Sequence, residues 1–173
     1  MASEHDERSG ECQVFTFKEG LLSAVAHDLC LRVERFTIEL HDDESIEARF
    51  EAGSLRVEHA MKDGRPAPGT LSDRQRREIE GNIVDDVLHA KRHPEIGFRS
   101  TRVQGEGDER RIEGTLRLHG QERPLRLLAR RSDGRWTAEV ELHQPDFGIK
   151  PYSAMLGTLK IRPQVRVRVS LPG

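Results

Sequence analysis

Eight histidines, two cysteines and paired acids supply the side chains that could do chemistry. His89 and His93 stand at i, i+4, the spacing that puts two metal ligands on one helical face. The pair straddles the end of a helical pattern, and no Glu stands where a zinc-protease helix needs its base. It reads as a terminal histidine and a cap that suits the helix dipole. His59, His119 and His143 fall at strand ends, where polar residues are ordinary. His27 follows the apolar run Leu21-Leu22-Ser23-Ala24-Val25-Ala26 and precedes a strand, so it reads as a structural histidine or as a contact for a ligand head group. Ser23, Ser100 and Ser153 lack a nucleophile elbow. Asp42-Asp43 and Asp85-Asp86 lie in charged contexts and read as solvated surface, and Gly105-Glu106-Gly107 is a turn with no helix after it to hold a phosphate. Cys12 and Cys30 fall on the first two strand-like runs and read as reduced, partly buried thiols. These residues assign no catalytic group, no metal site and no cofactor.

The segment 144–158 points toward binding. It mixes turn residues with Phe147, Ile149, Tyr152, Met155 and Leu156, and a loop running through water does not carry so much apolar surface. The end of a β-structure, a partner or an apolar ligand must cover it. A formal charge of -2 argues against nucleic acid as partner, since phosphate binding needs clustered positive charge. Aromatics are 5% of the chain and do not interleave with the Arg-rich run 123–131, so a stacking platform is missing. No stretch is long and apolar enough for a transmembrane helix. The acidic start Met1–Gly10 has neither the bases nor the apolar run of an export signal, which gives a cytoplasmic expectation.

The elements are mostly strands. Residues 1–11 read as a disordered tail and 12–173 as one domain. Residues 28–41 alternate with Leu29, Leu31 and Val33 on one face, then with Phe36, Ile38 and Leu40, so the phase slips near Glu34 and Arg35. Residues 45–60 slip likewise at Gly53-Ser54. Long strands with a mid-strand slip suit a sheet that curls toward closure. Residues 61–70 read as a loop by their Gly and Pro content. A helix is expected over 72–89, opened by the capping box Ser72-x-x-Gln75, with Ile79, Ile83, Val84, Val87 and Leu88 at helical spacing and Pro94 beyond its end. Five more alternating runs follow, separated by turn signals such as His119-Gly120 and Asp133-Gly134. One dry and one wet face per strand is the antiparallel pattern. The expectation is an all-β barrel or sandwich of about eight antiparallel strands with one helix packed over it or its end.

Several local patterns then coincide. Val87-Leu88-His89-Ala90-Lys91-Arg92-His93-Pro94-Glu95-Ile96-Gly97-Phe98-Arg99-Ser100 resembles the helix-to-strand signature of the YceI-like family. Gly114-Thr115-Leu116-Arg117-Leu118-His119-Gly120-Gln121-Glu122-Arg123-Pro124 resembles its Gly-x-Leu-x-Leu-x-Gly-x-x-x-Pro hairpin, Phe147-Gly148-Ile149 before Pro151-Tyr152 its segment ahead of the last strand, and Ala24-Val25-Ala26-His27 its first loop. The resemblance covers about residues 12–171. It implies an extended lipocalin-like barrel that buries a long apolar chain: a polyisoprenoid, an isoprenoid quinone or a fatty amide. Members are often exported to the periplasm. On this basis the apolar tail is expected against Phe15, Phe17, Leu31, Val33 and Phe98 on one side. Leu116, Leu118, Trp136 and Val140 are expected on the other, with Phe147, Tyr152 and Met155 closing one end and His27 or Tyr152 meeting a polar head. The expected function is a non-enzymatic carrier or sequestering protein. Two alternatives stay open: a barrel filled by its own side chains that acts on protein partners, as a homodimer for example, and a small-molecule hydrolase with His27 as base.

Overall fold

A computed structural model describes residues 2–19, 26–154, 157 and 159–173. Its strands are β1 (Ser3–Asp6), β2 (Glu11–Thr16), β3 (Asp28–Val33), β4 (Phe36–Leu40), β5 (Ile46–Glu51), β6 (Leu55–Lys62), β7 (Arg65–Ala67), β8 (Glu95–Gln104), β9 (Glu109–Leu118), β10 (Gln121–Ser132), β11 (Arg135–His143), β12 (Ser153–Ala154), β13 (Leu159–Lys160) and β14 (Gln164–Pro172). Twelve of them form one antiparallel sheet in the order β1-β4-β5-β8-β9-β10-β11-β14-β2-β3-β6-β7, and β12 pairs with β13 alone.

The phase slips in the sequence mark where this sheet folds over. The run 28–41 breaks into β3 and β4, and the run 45–60 into β5 and β6. The two corners meet. Glu34 N–H donates to the Ser54 carbonyl (3.1 Å), and Glu51 N–H donates to the Arg35 carbonyl (3.0 Å). Ser54, 1% exposed, ties them. Its Oγ accepts from Arg35 N–H (3.1 Å) and donates to the Glu51 carbonyl (2.8 Å). A backbone that leaves one ladder to join another strips two strands of partners, and the serine hydroxyl replaces them.

The sheet has twelve strands rather than the expected eight for three reasons. Each slipped run makes two strands. The segment Ser3–Asp6, expected in a disordered tail, pairs with β4 in register Ser3 to Leu40 and Asp6 to Thr37. It is a polar edge strand that contributes backbone hydrogen bonds and little apolar surface, so composition hid it. The expected loop 61–70 contains a two-residue hairpin in which Lys62 pairs with Arg65 across Asp63 (φ 51°) and Gly64 (φ 74°). Positive φ at both positions is the Asp-Gly type I′ signature. The same geometry recurs at His119-Gly120 and Asp133-Gly134, the turns read from the sequence.

The helix begins as expected. Ser72 caps α1 (Asp73–Gly81) with both hydrogen bonds of the capping box to Gln75. It continues as a wider π-turn over Asn82–Val87 and stops short of His89, whose φ of 48° is left-handed. No residue of this helix is fully buried. Ile79, Ile83 and Leu88 pack against the cluster that holds Leu31, Val57 and Leu71. A second cluster joins Leu116, Leu118, Leu142, Phe147 and Ile149 on the other wall.

Candidate ligand cavity

The inner face of the curled sheet lines a partly open cavity of about 970 Å³. That volume lies at the upper end of the range for small-molecule sites, about 300–1,000 Å³. Among the described residues the side chains leave this interior unfilled, which weighs against the filled-barrel alternative. The central strands send alternate apolar residues inward: Leu31 and Val33 from β3, Phe98 from β8, Leu116 and Leu118 from β9, Trp136 and Val140 from β11. All seven were expected there. Ile79, Ile83 and Val87 of the helix complete the wall along one side.

Phe15 and Phe17 lie elsewhere, and Phe147, expected to close one end, does not itself line the cavity. Cys12, Val14 and Thr16 are the members of β2 that face the cavity, so Phe15 and Phe17 lie on the outer face. There Phe17 stacks under the exposed Arg166 guanidinium, 5.7 Å from the ring centroid. Aromatic bulk suggested the inside, but the pairing of Gln13 with Arg32 and Phe15 with Cys30 fixes the opposite phase. Phe147 is 4% exposed but does not line the cavity. It packs with Leu116, Leu118 and Leu142, which accounts for part of the apolar content of its loop. Met155 lies outside the described residues.

Polar side chains gather at the two ends of this apolar space. At one end Asn82 Nδ2 donates to Tyr152 Oη (3.1 Å), latching the helix to the loop at Tyr152. Ile161 N–H donates to the Tyr152 carbonyl (3.1 Å) and Ile161 bridges to Lys18. Lys18 N–H in turn donates to the Asp28 carboxylate (2.8 Å), beside His27. His27 and Tyr152 therefore share one end, and both line the cavity. At the other end the Arg110 guanidinium lies 5.3 Å from the Trp136 ring centroid and its Nε lies 3.8 Å from Glu44 Oε1. Glu44 and Arg110 were not singled out from the sequence, where an Arg at a strand start and a Glu in a hairpin look like ordinary surface.

The two cysteines are free thiols. Cys12 faces the cavity, and burial pushes its thiol up to about 12. Cys30 lies on the opposite face of the neighbouring strand, raised to about 12 by burial and by the adjacent Glu58 carboxylate. Side chains on opposite faces cannot form a disulfide. Outside the barrel, His93 and His89 approach His119 at ring-centroid distances of 4.5 and 5.5 Å. His119 Nδ1 lies 3.2 Å from the Phe147 carbonyl, while its buried Nε2 has no partner. Burial, with lesser repulsion from His93, His89 and Arg92, holds the His119 imidazole below its ordinary value. No helix among the described residues is long and apolar enough to cross a membrane.

An antiparallel sheet of twelve strands curled into a half-barrel around a largely apolar cavity, with a helix along one side, defines the class of fold. The chain belongs to the YceI-like domain family, whose model matches residues 14–172. Solved structures with this fold include BcnA from Burkholderia cenocepacia, at TM-score 0.66 and 12% identity over 97% of this chain and 98% of that one. They also include a polyisoprenoid-binding domain from Saccharophagus degradans implicated in plant cell wall breakdown, at TM-score 0.66 and 12% identity over 99% of this chain and 98% of that one. At such identities the likeness is one of fold. No curated protein matches the sequence.

Proposed function

We propose that this protein binds one amphipathic isoprenoid-type lipid in its cavity and carries or sequesters it without chemical change. The observation that carries the reading is the cavity of about 970 Å³, walled by apolar side chains along its length and polar at its ends. At about 30 Å³ per heavy atom, the share of a small group in a liquid, such a space takes on the order of 30 heavy atoms. A prenyl chain of about six isoprene units meets that figure. Its burial supplies affinity at about 25 cal/mol per Å² before the cost of ordering the chain. The relative from Saccharophagus degradans, described as polyisoprenoid-binding, supports the choice of ligand class.

The head group of the lipid sits at the His27–Tyr152 end, where an imidazole and a phenol hydroxyl can share its hydrogen bonds. The tail runs toward Trp136. Delipidated protein titrated with a series of polyprenols tests this reading. Affinity rises with chain length and levels off at about six units. Uniform weak binding at every length, or none, would overturn it. His27→Ala changes the preference between alcohol and quinone heads while sparing the tail-length dependence.

A further inference from the structure

Three side chains with metal-ligand chemistry converge on the outer face of the sheet. In the β3–β6 ladder Cys30 pairs with His59, and the next pair is Leu31 with Val57. Glu58 is thus an extra residue in β6, a bulge. In a regular strand Glu58 and His59 would point to opposite faces. The bulge turns both toward Cys30. The Cys30 thiol, a Glu58 carboxylate oxygen and a His59 ring nitrogen all lie within 4.8 Å of one another. Cys30 Sγ is 3.3 Å from Glu58 Oε2. In a tetrahedron with bonds of about 2.0–2.3 Å the donor atoms sit about 3.5 Å apart, so a small closure completes the set.

The surroundings hold the ligands in place. Glu58 Oε2 also accepts from Gln13 Nε2 (2.9 Å), which orients the carboxylate. His59 Nδ1 lies 3.1 Å from the Ala60 carbonyl. In the tautomer that donates there, Nε2 keeps the lone pair a metal needs. Cys30 is 1% exposed, whereas Glu58 and His59 are half-buried, so an ion enters from the solvent side. None of the three lines the cavity, so the cluster is independent of lipid binding.

We propose that Cys30, Glu58 and His59 form a binding site for one zinc-type divalent cation, with water as the fourth ligand. A thiolate, an imidazole and a carboxylate select a borderline-soft cation over magnesium or calcium, which take oxygen ligands. The thiol proton is released to solvent on binding. The bound ion ties β3 to β6 across the bulge.

Cobalt(II) is the probe, titrated into the reduced, chelator-treated full chain. One ion binds per chain, with a thiolate-to-cobalt charge-transfer band and the strong visible bands of a tetrahedral site, and zinc displaces it. Cys30→Ser abolishes the charge-transfer band and Cys12→Ser keeps it. Glu58→Gln and His59→Gln, at half-buried positions, each weaken binding by more than about tenfold, and Gln13→Ala by about tenfold through the orienting contact. These two ligand variants decide the matter if Cys30→Ser does not fold. Absence of the charge-transfer band in the parent chain, its persistence in Cys30→Ser, or unchanged affinity in both Glu58→Gln and His59→Gln would overturn the site.

Discussion

Ala129→Trp separates a ligand cavity from a packed core. Ala129 is 8% exposed, lines the cavity and pairs with Ala138 across β10 and β11, close to the Trp136 end. Tryptophan there adds about nine heavy atoms, or about 270 Å³ at about 30 Å³ each. That is more than a quarter of the cavity of about 970 Å³. Room for the tail then falls by one to two isoprene units, about seven to nine carbons on the same basis. Because the new ring enters empty space, the fold bears little strain. In a filled core the same change would cost about 1–3 kcal/mol of overpacking. At this chain size each kcal/mol moves the Tm by about 2–4 °C. The assays are the thermal midpoint of the delipidated protein and the chain-length profile of polyprenol binding. The expected result is a Tm within about 2 °C of the parent and a plateau shifted to shorter chains. A large fall in Tm with an unshifted plateau would mean that Ala129 faces a packed core rather than a ligand cavity.

The remaining predictions concern the ends and corners of the barrel. Trp136→Ala removes the ring under Arg110, opens that end, and raises the rate of ligand loss measured by competition with a fluorescent lipid. Tyr152→Phe removes the acceptor of Asn82 Nδ2 and costs about 0.5–1.5 kcal/mol in denaturant melts, with faster ligand exchange because the helix latch is gone. Ser54→Ala leaves Arg35 N–H without its partner inside a buried corner and costs about 1–3 kcal/mol by the same assay. His119 gives a pH dependence of defined sign. Its folded imidazole titrates below the ordinary value, so above about pH 6.5 both folded and unfolded chains are neutral there and the full stability is present. As pH falls from that point the unfolded chain takes the proton first, and stability is lost until pH passes below the folded value. The parent therefore loses stability relative to His119→Gln on acidification through this window, read as a pH-dependent change in the difference of their urea midpoints; a difference that does not vary with pH would contradict it.

Much of the wall was legible because it rests on period-2 alternation. Leu29, Leu31 and Val33 against Phe36, Ile38 and Leu40 gave both the inward face and the corner, since one slipped residue flips every later side chain. The helix was legible from its capping box and its Ile79, Ile83, Val87 spacing, though not its π-wound half, which no residue type in 82–87 announces. β2 was misread because both of its faces look plausible inside: Phe15 and Phe17 are larger than Cys12, Val14 and Thr16, and only the register with β3 and β14 decides. The bulge at Glu58 was hidden for a related reason. An extra residue is a property of two strands together, and the partner of Cys30 cannot be read from either strand alone. The Arg110–Trp136 end is built across two successive hairpins, in which Arg110 pairs with Ala129 and Trp136 with Arg131, so the contact cannot be read from either strand alone.

Mass spectrometry of the protein purified from its native host, first under native conditions and then after organic extraction, tests the central claim most directly. A near-stoichiometric adduct of one lipid class is expected, retained by the folded chain and released on unfolding, with an isoprenoid tail near 30 heavy atoms, the number that about 30 Å³ per atom allows. A bare polypeptide mass, together with no uptake of added polyprenol or quinone by the refolded protein, would contradict it.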